Sequence, residues 1–119
     1  MPGAGRMRRV NEAVREVLSG HMVGGLSDPR IGFVTVTGVD TVADLSRARV
    51  FVSVLGDETQ RAEALSGLES SRGFLQAKVG EELRMKRTPT LEFTYDESID
   101  RGMRVSELLG QADPPEPTP

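Results

Sequence analysis

Apolar residues in the first segment of the chain fall at the spacing of one helix face. They recur at steps of three, four and one, and they are Met7, Val10, Val14, Val17, Leu18 and Met22. This spacing predicts an amphipathic helix over residues 6–22, because such positions share one side of a helix with 3.6 residues per turn. Gly24 and Gly25 are expected to end the helix, and residues 1–5 are expected to be a flexible N-terminus.

Two strands are predicted after this helix. Asp28-Pro29-Arg30 has the composition of a turn, and a β-branched run at residues 32–39 follows it. Residues 46–55 then alternate between two faces, of which one carries Ala48, Val50, Val52 and Val54 and the other Arg47, Arg49, Phe51 and Ser53. The connection at residues 40–44 is short, so the strands are expected to pair as an antiparallel hairpin.

A second helix is predicted after the hairpin. Asp57 or Thr59 is placed to cap it, and it runs to about residue 69. The residues expected to face inward are Ala62, Leu65 and Leu68.

Ser70, Ser71 and Gly73 interrupt this helical pattern. The periodicity resumes with Phe74, Leu75, Val79 and Leu83 and ends at Met85. The sequence therefore predicts a helix, a kink and a further helix.

The C-terminal part of the chain contains one more strand. Leu91, Phe93 and Tyr95 alternate with polar residues and predict it. Residues 99–109 are expected to form a short amphipathic turn or helix. Residues 111–119 contain four prolines and two acidic residues and are expected to be a disordered tail, which leaves one domain at residues 6–110.

Composition narrows the class of protein. The chain has 119 residues, 37% of them hydrophobic and 4% aromatic, which suits one small domain with an aliphatic core. The absence of cysteine excludes disulfides, thiolate nucleophiles and zinc fingers. No segment is apolar enough for a membrane span or a signal peptide, so a cytoplasmic location is the expectation.

Positive charge is concentrated in two segments, although the net charge is -3. Residues 1–15 and residues 71–87 each carry an excess of basic residues, and the rest of the chain is acidic. If the fold brings the two segments together, they form a basic patch suited to phosphates. The alternative, that arginine only solvates two helix faces, stays open on the charge pattern alone.

The sequence offers little for catalysis or for a cofactor. His21 is the one histidine and has no second histidine or cysteine with which to bind a metal, so a structural or surface role is expected. Asp96, Glu97 and Asp100 lack the spacing of a calcium loop, and turn formation or helix capping explains them better. Phosphate-binding glycine motifs are missing. We therefore expect a protein that is not an enzyme and has no cofactor or metal.

The order of the predicted elements, α-β-β-α-kink-α-β, is that of the type II KH fold, an α+β domain with a three-stranded sheet packed on helices. KH domains hold the nucleic-acid backbone with a G-X-X-G loop between two helices. Ser70-Ser71-Arg72-Gly73 stands at that place here. Gly73 is expected to allow the bend and a close backbone approach, with Arg72 as the adjacent cation. The alternative is that Gly73 simply separates two helices.

Two ordered motifs resemble bacterial ribosome-binding factor A. The first is Asp28-Pro29-Arg30-Ile31-Gly32 with the strands that follow it, and the second is the run from Pro89 to Ser98 continued by Gly102-Met103-Arg104-Val105. The resemblance covers roughly residues 6–109. It implies a KH-type fold in which a kink of a small residue, any residue and glycine replaces the G-X-X-G loop. Ser71-Arg72-Gly73 occupies this kink, with serine where the family usually has alanine, and the serine side chain adds a possible local backbone hydrogen bond.

The resemblance implies a non-enzymatic assembly factor that binds the free, immature 30S small ribosomal subunit and 16S rRNA. It also implies a monomer that helps late maturation including 5'-end processing of 16S rRNA, matters for growth in the cold, and is released with help from a GTPase or another late factor. The rRNA-binding side chains expected on one face are Arg6, Arg8, Arg9, Arg72, Lys78, Arg84, Lys86 and Arg87.

Two other hypotheses stay open from the sequence. One is a general KH-like RNA-binding protein that acts away from the ribosome. The other is a protein-interaction module whose sheet edge or Phe51 face binds a protein. The side of the domain on which Arg47, Arg49 and Arg104 lie is also left open.

Overall fold

A computed structural model describes residues 2–23 and 28–98 of the chain. Within these residues the elements follow the predicted order: α1 (Pro2–Val23), β1 (Val34–Thr41), β2 (Arg47–Val54), α2 (Glu58–Ser70), α3 (Arg72–Leu83) and β3 (Thr90–Tyr95). The predicted α+β class is therefore confirmed. The expectations for Gly24, Gly25 and residues 99–119 lie outside the described residues. None of the described helices combines the length and apolar character that crossing a bilayer requires.

The first helix begins earlier than the apolar pattern predicts. α1 starts at Pro2, four residues before the predicted start at residue 6. Proline suits the first helical position, because its missing N–H would have no partner there. The predicted apolar stripe is confirmed, since Val14, Val17 and Leu18 are buried.

The sheet has the strand order β1-β2-β3. β1 and β2 pair antiparallel, as predicted, from Val34 opposite Val54 through a β-bulge between Val36 and Gly38. β3 lies on the other side of β2 and runs parallel to it. Parallel pairing requires the chain to return to the same end of the sheet, and α2 and α3 form this crossover.

The hydrophobic core lies between the helices and one face of the sheet. All four β2 residues expected to point inward are buried, namely Ala48, Val50, Val52 and Val54. Buried side chains from the three helices complete the cluster, among them Val14, Leu18, Ala64, Leu68, Leu75 and Val79. The opposite face of β2 carries Arg47, Arg49, Phe51 and Ser53, which are exposed or half-buried. We call this second face the open sheet face.

Asp57, and not Thr59, caps α2. The Asp57 carboxylate accepts a hydrogen bond from the backbone N–H of Gln60 at 2.9 Å. The Gln60 side-chain oxygen in turn accepts from the Asp57 N–H at 2.8 Å, so the two residues form a capping box. This pairing fixes the start of the helix.

One inward residue predicted for α2 is wrong. Ala62 is exposed, whereas Leu68 is buried and Leu65 is partly buried as expected. The buried side of α2 is centred on Ala64, Gly67 and Leu68. This buried side is rotated about the helix axis relative to the predicted apolar stripe, because the side of α2 that carries Gly67 packs against the segment that precedes β1.

In α3, Leu75 and Val79 are buried as predicted, but Phe74 is 51% exposed. Residues 74 and 75 are about 100° apart around the helix axis, so Phe74 lies off the side of α3 that is centred on Leu75. Leu75 takes the inward direction because it shares a side with Val79, one turn further on.

The end of α3 lies at Leu83 and not at Met85. Arg84 adopts the left-handed conformation with φ 51°, and its N–H donates to the Gly80 carbonyl. The Met85 N–H donates to the same carbonyl at 3.2 Å. These bonds satisfy one of the carbonyl groups that the end of a helix leaves without partners.

Gly67 allows α2 to approach the chain before β1 closely. A Cβ atom at this position would lie 2.6 Å from Ile31 Cγ1 and 3.3 Å from Asp28 Cγ. Ile31 is itself partly buried against the core. A side chain at Gly67 would therefore push α2 and this segment apart.

Replacing Gly67 by Ala is expected to lower the free energy of unfolding by up to about 2 kcal/mol, because overpacking costs about 1–3 kcal/mol and the gain in helix propensity offsets about 1 kcal/mol of it. Gly73→Ala is the matched control, since a Cβ there meets nothing within 4 Å. It is expected to leave stability unchanged or to raise it slightly. Urea unfolding of both variants measures the difference, and equal stability would contradict the close packing at Gly67.

Candidate nucleic-acid interface

The kink between α2 and α3 is made by Ser71. Its backbone has φ −92° and ψ 3°, a region open to residues other than glycine. The bend therefore does not depend on the conformational freedom of Gly73, contrary to the expectation from sequence. Gly73 is the second residue of α3, and the space beside it is open. The Ser71 side chain makes no hydrogen bond that caps α3.

The kink is held in place by the turn that precedes β1. The Asp28 carboxylate accepts a hydrogen bond from the Arg30 backbone N–H at 2.9 Å and several from its guanidinium. The same guanidinium donates to the hydroxyls of Ser66 at 3.2 Å and Ser70 at 2.9 Å, in the last turns of α2. Sequence reasoning identified this motif as a turn but missed its contact with the kink.

This arrangement changes the ionisation of Asp28. The hydrogen bonds from the Arg30 side chain, followed by the bond from the Arg30 backbone, lower the pKa of Asp28 from 3.8 to about 2. Both stabilise the ionised carboxylate. Asp28 is therefore charged across the physiological pH range and keeps Arg30 directed at α2.

Two of the cations predicted for rRNA binding are paired with acidic neighbours. Arg72 forms an ion pair with Glu69, across the kink. Lys78 Nζ lies 3.7 Å from Glu81 Oε1 and 5.5 Å from the centre of the Phe74 ring. These contacts offset part of the positive charge that the two residues present to a partner.

The chain between α3 and β3 carries three exposed cations, Arg84, Lys86 and Arg87. In the described ranges none of them forms an ion pair. The segment leads to Thr90, whose N–H donates to the Ser46 carbonyl at 3.0 Å in the loop between β1 and β2. The pKa of Asp44 in that loop is lowered mainly by hydrogen bonds from Ser46, with a smaller contribution from the charge of Arg87. Arg87 therefore lies beside this loop.

The N-terminal arginines lie at the same end of the sheet. The Asn11 side chain accepts a hydrogen bond from the backbone N–H of Thr41, the last residue of β1, at 2.9 Å. The buried residues described in α1, which are Val14, Val17 and Leu18, come after Asn11, so the arginines before Asn11 lie toward the outside of this end. Arg6, Arg8 and Arg9 are exposed and, within the described residues, form no ion pair.

Six of the predicted cations thus lie on the two segments that adjoin this end of the sheet, and we call these residues the basic end: Arg6, Arg8, Arg9, Arg84, Lys86 and Arg87. Arg72 and Lys78 lie along α3, which at 12 residues is about 18 Å long. Arg72 is at the end of α3 remote from Arg84.

Arg47 and Arg49 lie on the open sheet face, away from the core. Arg47 Nη1 is 3.3 Å from Glu92 Oε2. Arg49 stands in register between Asp40 on β1 and Glu92 on β3. Acidic residues therefore flank both arginines, and Arg104 lies outside the described residues.

His21 links α1 to α3. Its Nε2 lies 2.7 Å from Glu82 Oε2, and its ring meets the Phe74 ring edge-on with 5.8 Å between centroids. In the described ranges, no group of three or more histidine, aspartate or glutamate side chains is placed to hold a metal ion. These contacts fit the structural role expected for His21.

Asp96 follows β3 and organises the chain there. Its carboxylate accepts hydrogen bonds from the Ser98 N–H at 3.0 Å and the Ser98 hydroxyl at 2.5 Å. It also accepts from the Thr37 hydroxyl at 2.6 Å. This is the turn and capping role predicted for the acidic cluster, of which Asp100 lies outside the described residues.

The sheet order, the α2–α3 kink and the exposed cations define a KH-like domain with a basic surface. The sequence model of the family described as Ribosome-binding factor A matches residues 6–109. The chain belongs to the ribosome-binding factor A family, as its motifs predict.

Relatives and solved structures of the same description cover most of the chain. The protein from Geobacter sulfurreducens is 44% identical over 104 residues, which are 87% of this chain and 88% of the relative. The protein from Anaeromyxobacter sp. (strain K) is 49% identical over 108 residues, or 90% and 78%. The crystal structure of ribosome-binding factor A from Thermus thermophilus superposes with a TM-score of 0.66 at 28% identity, covering 75% of this chain and 94% of that chain.

A further structural match is a homology model of the Thermus thermophilus protein as fitted into the cryo-EM map of a complex between the 30S subunit and ribosome-binding factor A. It superposes with a TM-score of 0.60 at 29% identity and covers 71% of this chain and 89% of that chain.

Asp28→Asn is expected to reduce stability at neutral pH, and the difference from the wild type is expected to shrink on acidification. Because the folded state lowers the pKa of Asp28, the ionised carboxylate stabilises the fold above about pH 4, and this contribution is lost as the pH falls toward 2. Urea unfolding at a series of pH values measures the difference. A difference that stays constant down to pH 2 would exclude this role for the Asp28 charge.

Proposed function

We propose that this protein binds the free, immature 30S small ribosomal subunit and acts there as a non-enzymatic assembly factor. The observation that carries the proposal is the similarity to the Thermus thermophilus protein fitted into a map of a 30S complex. Membership of the ribosome-binding factor A family supports the same partner.

The basic end is the surface we propose for 16S rRNA. Its six cations are exposed and free of ion pairs in the described part of the chain, so they are available to phosphates. Cations that neutralise phosphates release counterions from RNA, which gives an affinity that falls with salt. Helical RNA is recognised mainly through its backbone and shape. The low aromatic content, 4%, favours this mode over stacking of single-stranded bases.

Arg72 and Lys78 are also proposed to contact rRNA, in a weaker role. Glu69 and Glu81 already compensate part of their charge. The open space beside Gly73 allows a nucleic-acid backbone to approach the kink, which Ser71, Arg72 and Gly73 form.

The finer steps of the proposal rest on the family resemblance. They are assistance with late small-subunit maturation, including 5'-end processing of 16S rRNA, and a contribution to growth in the cold. The protein is proposed to act in the cytoplasm as a monomer and to be released by a GTPase or another late assembly factor.

Sedimentation of the tagged protein from a cell lysate tests the partner directly. The protein is expected to comigrate with free small subunits in a sucrose gradient and to leave them after nuclease treatment or at high salt. A protein that stays at the top of the gradient at low salt would overturn the ribosomal assignment. A partner that survives nuclease treatment would favour a protein-interaction module, and equally tight binding to isolated RNA would favour a general RNA-binding protein.

Removal of two cations from the basic end, by Arg84→Gln with Arg87→Gln, is expected to weaken 30S binding at low salt. The slope of log affinity against log salt is expected to become shallower by about 0.7 to 0.9 for each phosphate that the variant no longer neutralises. Fluorescence anisotropy of labelled protein with purified 30S subunits, at several salt concentrations, gives this slope.

The matched control for this prediction is Arg47→Gln with Arg49→Gln. It removes the same charge from the open sheet face, where Glu92 and Asp40 flank the arginines. Its salt slope is expected to equal that of the wild type. If the slope of the control pair falls as far as that of the basic-end pair, the rRNA surface extends over the open sheet face and our assignment is wrong.

A further inference from the structure

The end of the β1–β2 hairpin remote from the basic end exposes two large apolar side chains. Phe33 is 81% exposed and Leu55 is 74% exposed, the highest values among the large apolar residues described. The Leu55 N–H donates to the Phe33 carbonyl at 3.1 Å, one position beyond the pair Val34–Val54. Residues directly opposite each other on neighbouring strands share a face, so the two side chains are neighbours.

A groove of about 140 Å³ opens beside Leu55, the second residue of this pair. It runs between the segment that precedes β1 and the start of α2, and its walls include Pro29, Gly32, Leu55 and Glu63. Its volume approaches that of cavities of about 150 Å³ that accept a benzene-sized group. The groove is therefore large enough for one apolar side chain.

The charges around the groove are predominantly acidic. Asp57 and Glu58 follow Leu55 closely in the chain and are exposed, and exposed Glu63 lines the groove. Arg30 also lines the groove and interacts electrostatically with Glu63, but its guanidinium is hydrogen-bonded to the Asp28 carboxylate. These carboxylates repel phosphates and attract lysine or arginine.

Arg61, the one basic residue of α2, does not line the groove. Its guanidinium lies over the Tyr95 ring at 4.2 Å. The exposed carboxylates near the groove, Asp57, Glu58 and Glu63, therefore disfavour phosphates there.

We propose that Phe33, Leu55 and the adjacent groove bind a basic protein segment that carries an apolar anchor side chain. Interfaces commonly combine a few apolar anchors with a polar rim of complementary charge. The inference rests on the proposed function, because the small subunit is the assembly in which we place this segment. The domain then contacts rRNA through the basic end and a subunit protein through the opposite end of the hairpin.

Photo-crosslinking tests the identity of the occupant. A benzophenone amino acid replaces Phe33 in the full chain, and the protein is irradiated with purified 30S subunits and separated on a gradient. Crosslinks to a lysine- or arginine-rich segment of a subunit protein are expected. The matched control carries the same amino acid at exposed Ala62, which is not part of the groove, and is expected to give no such crosslink.

The other outcomes of this experiment overturn the inference. Crosslinks only to rRNA, or only within this chain, for example to residues 99–119, would assign a different occupant. Comigration with subunits without any crosslink from position 33 would show that the site is unused while the proposed function stands. Absence of comigration would overturn the proposed function and this inference together.

Charge reversal separates the two classes of partner by the sign of the effect. Glu63→Lys is expected to weaken 30S binding severalfold when a basic protein segment occupies the groove, whereas phosphates there would make binding tighter. Glu16→Lys, an equal charge change at an exposed position of α1, is the control, and it is expected to leave this protein contact intact. Thermal unfolding verifies that both variants are folded, and tighter binding by Glu63→Lys alone overturns the inference.

Discussion

The contact between the Asp28–Arg30 turn and the end of α2 is the constraint on which the shape of this domain depends. The Arg30 guanidinium is held by Asp28 and donates to the hydroxyls of Ser66 and Ser70, while Ile31 fits against the bare backbone of Gly67. Together these contacts tie the entry to β1 to the turn before the kink. This attachment fixes the end of α2 and thereby the orientation of α3, which begins after Ser71. The orientation of α3 in turn determines where Arg84 and the cations after it lie.

Positive charge is separated in the structure more sharply than in the sequence. The two basic segments converge in part, because the first half of α1 and the chain between α3 and β3 adjoin the same end of the sheet. Arg72 and Lys78 instead lie beside Glu69 and Glu81, and Arg47 and Arg49 beside Glu92 and Asp40. A protein with a net charge of -3 thus presents a localised basic surface. Local concentration of charge, and not the total, determines whether RNA is attracted.

The accuracy of the sequence predictions follows the strength of the pattern that carries each one. The alternation of apolar and polar residues in β2 determines which side chains face the core, and each residue predicted to face inward is buried. The buried face of a helix is predicted less accurately, because adjacent apolar residues are both candidates to point toward the core. Leu75 faces the core in place of Phe74, and Ala62 is exposed because Gly67 packs against Ile31. No local pattern reports that contact, since it joins residues 36 positions apart.

The sequence predicts which residues belong to the candidate site but does not predict how they are arranged. The cations could be identified from the sequence, and the family motifs identified the kink. The ion pair of Arg72 with Glu69 is consistent with their spacing of three residues, but the approach of Arg87 to Asp44 depends on the parallel pairing of β3. The sequence does not identify the exposed pair Phe33 and Leu55, because both residues flank strands. The alternation of apolar and polar residues does not predict which way a side chain points beyond the end of a strand.

The parallel pairing of β3 with β2 also bears on how the domain is completed during synthesis. β2 is the central strand, and one of its edges is covered only by residues 90–95. When the hairpin and both crossover helices have emerged from the ribosome but β3 has not, that edge of β2 still has unpaired backbone groups. The edge of a strand in this state is a template for pairing with other chains. Closure of the sheet must therefore wait until the last strand leaves the ribosome, and the interval before it is the time at which this protein is most exposed to misassembly.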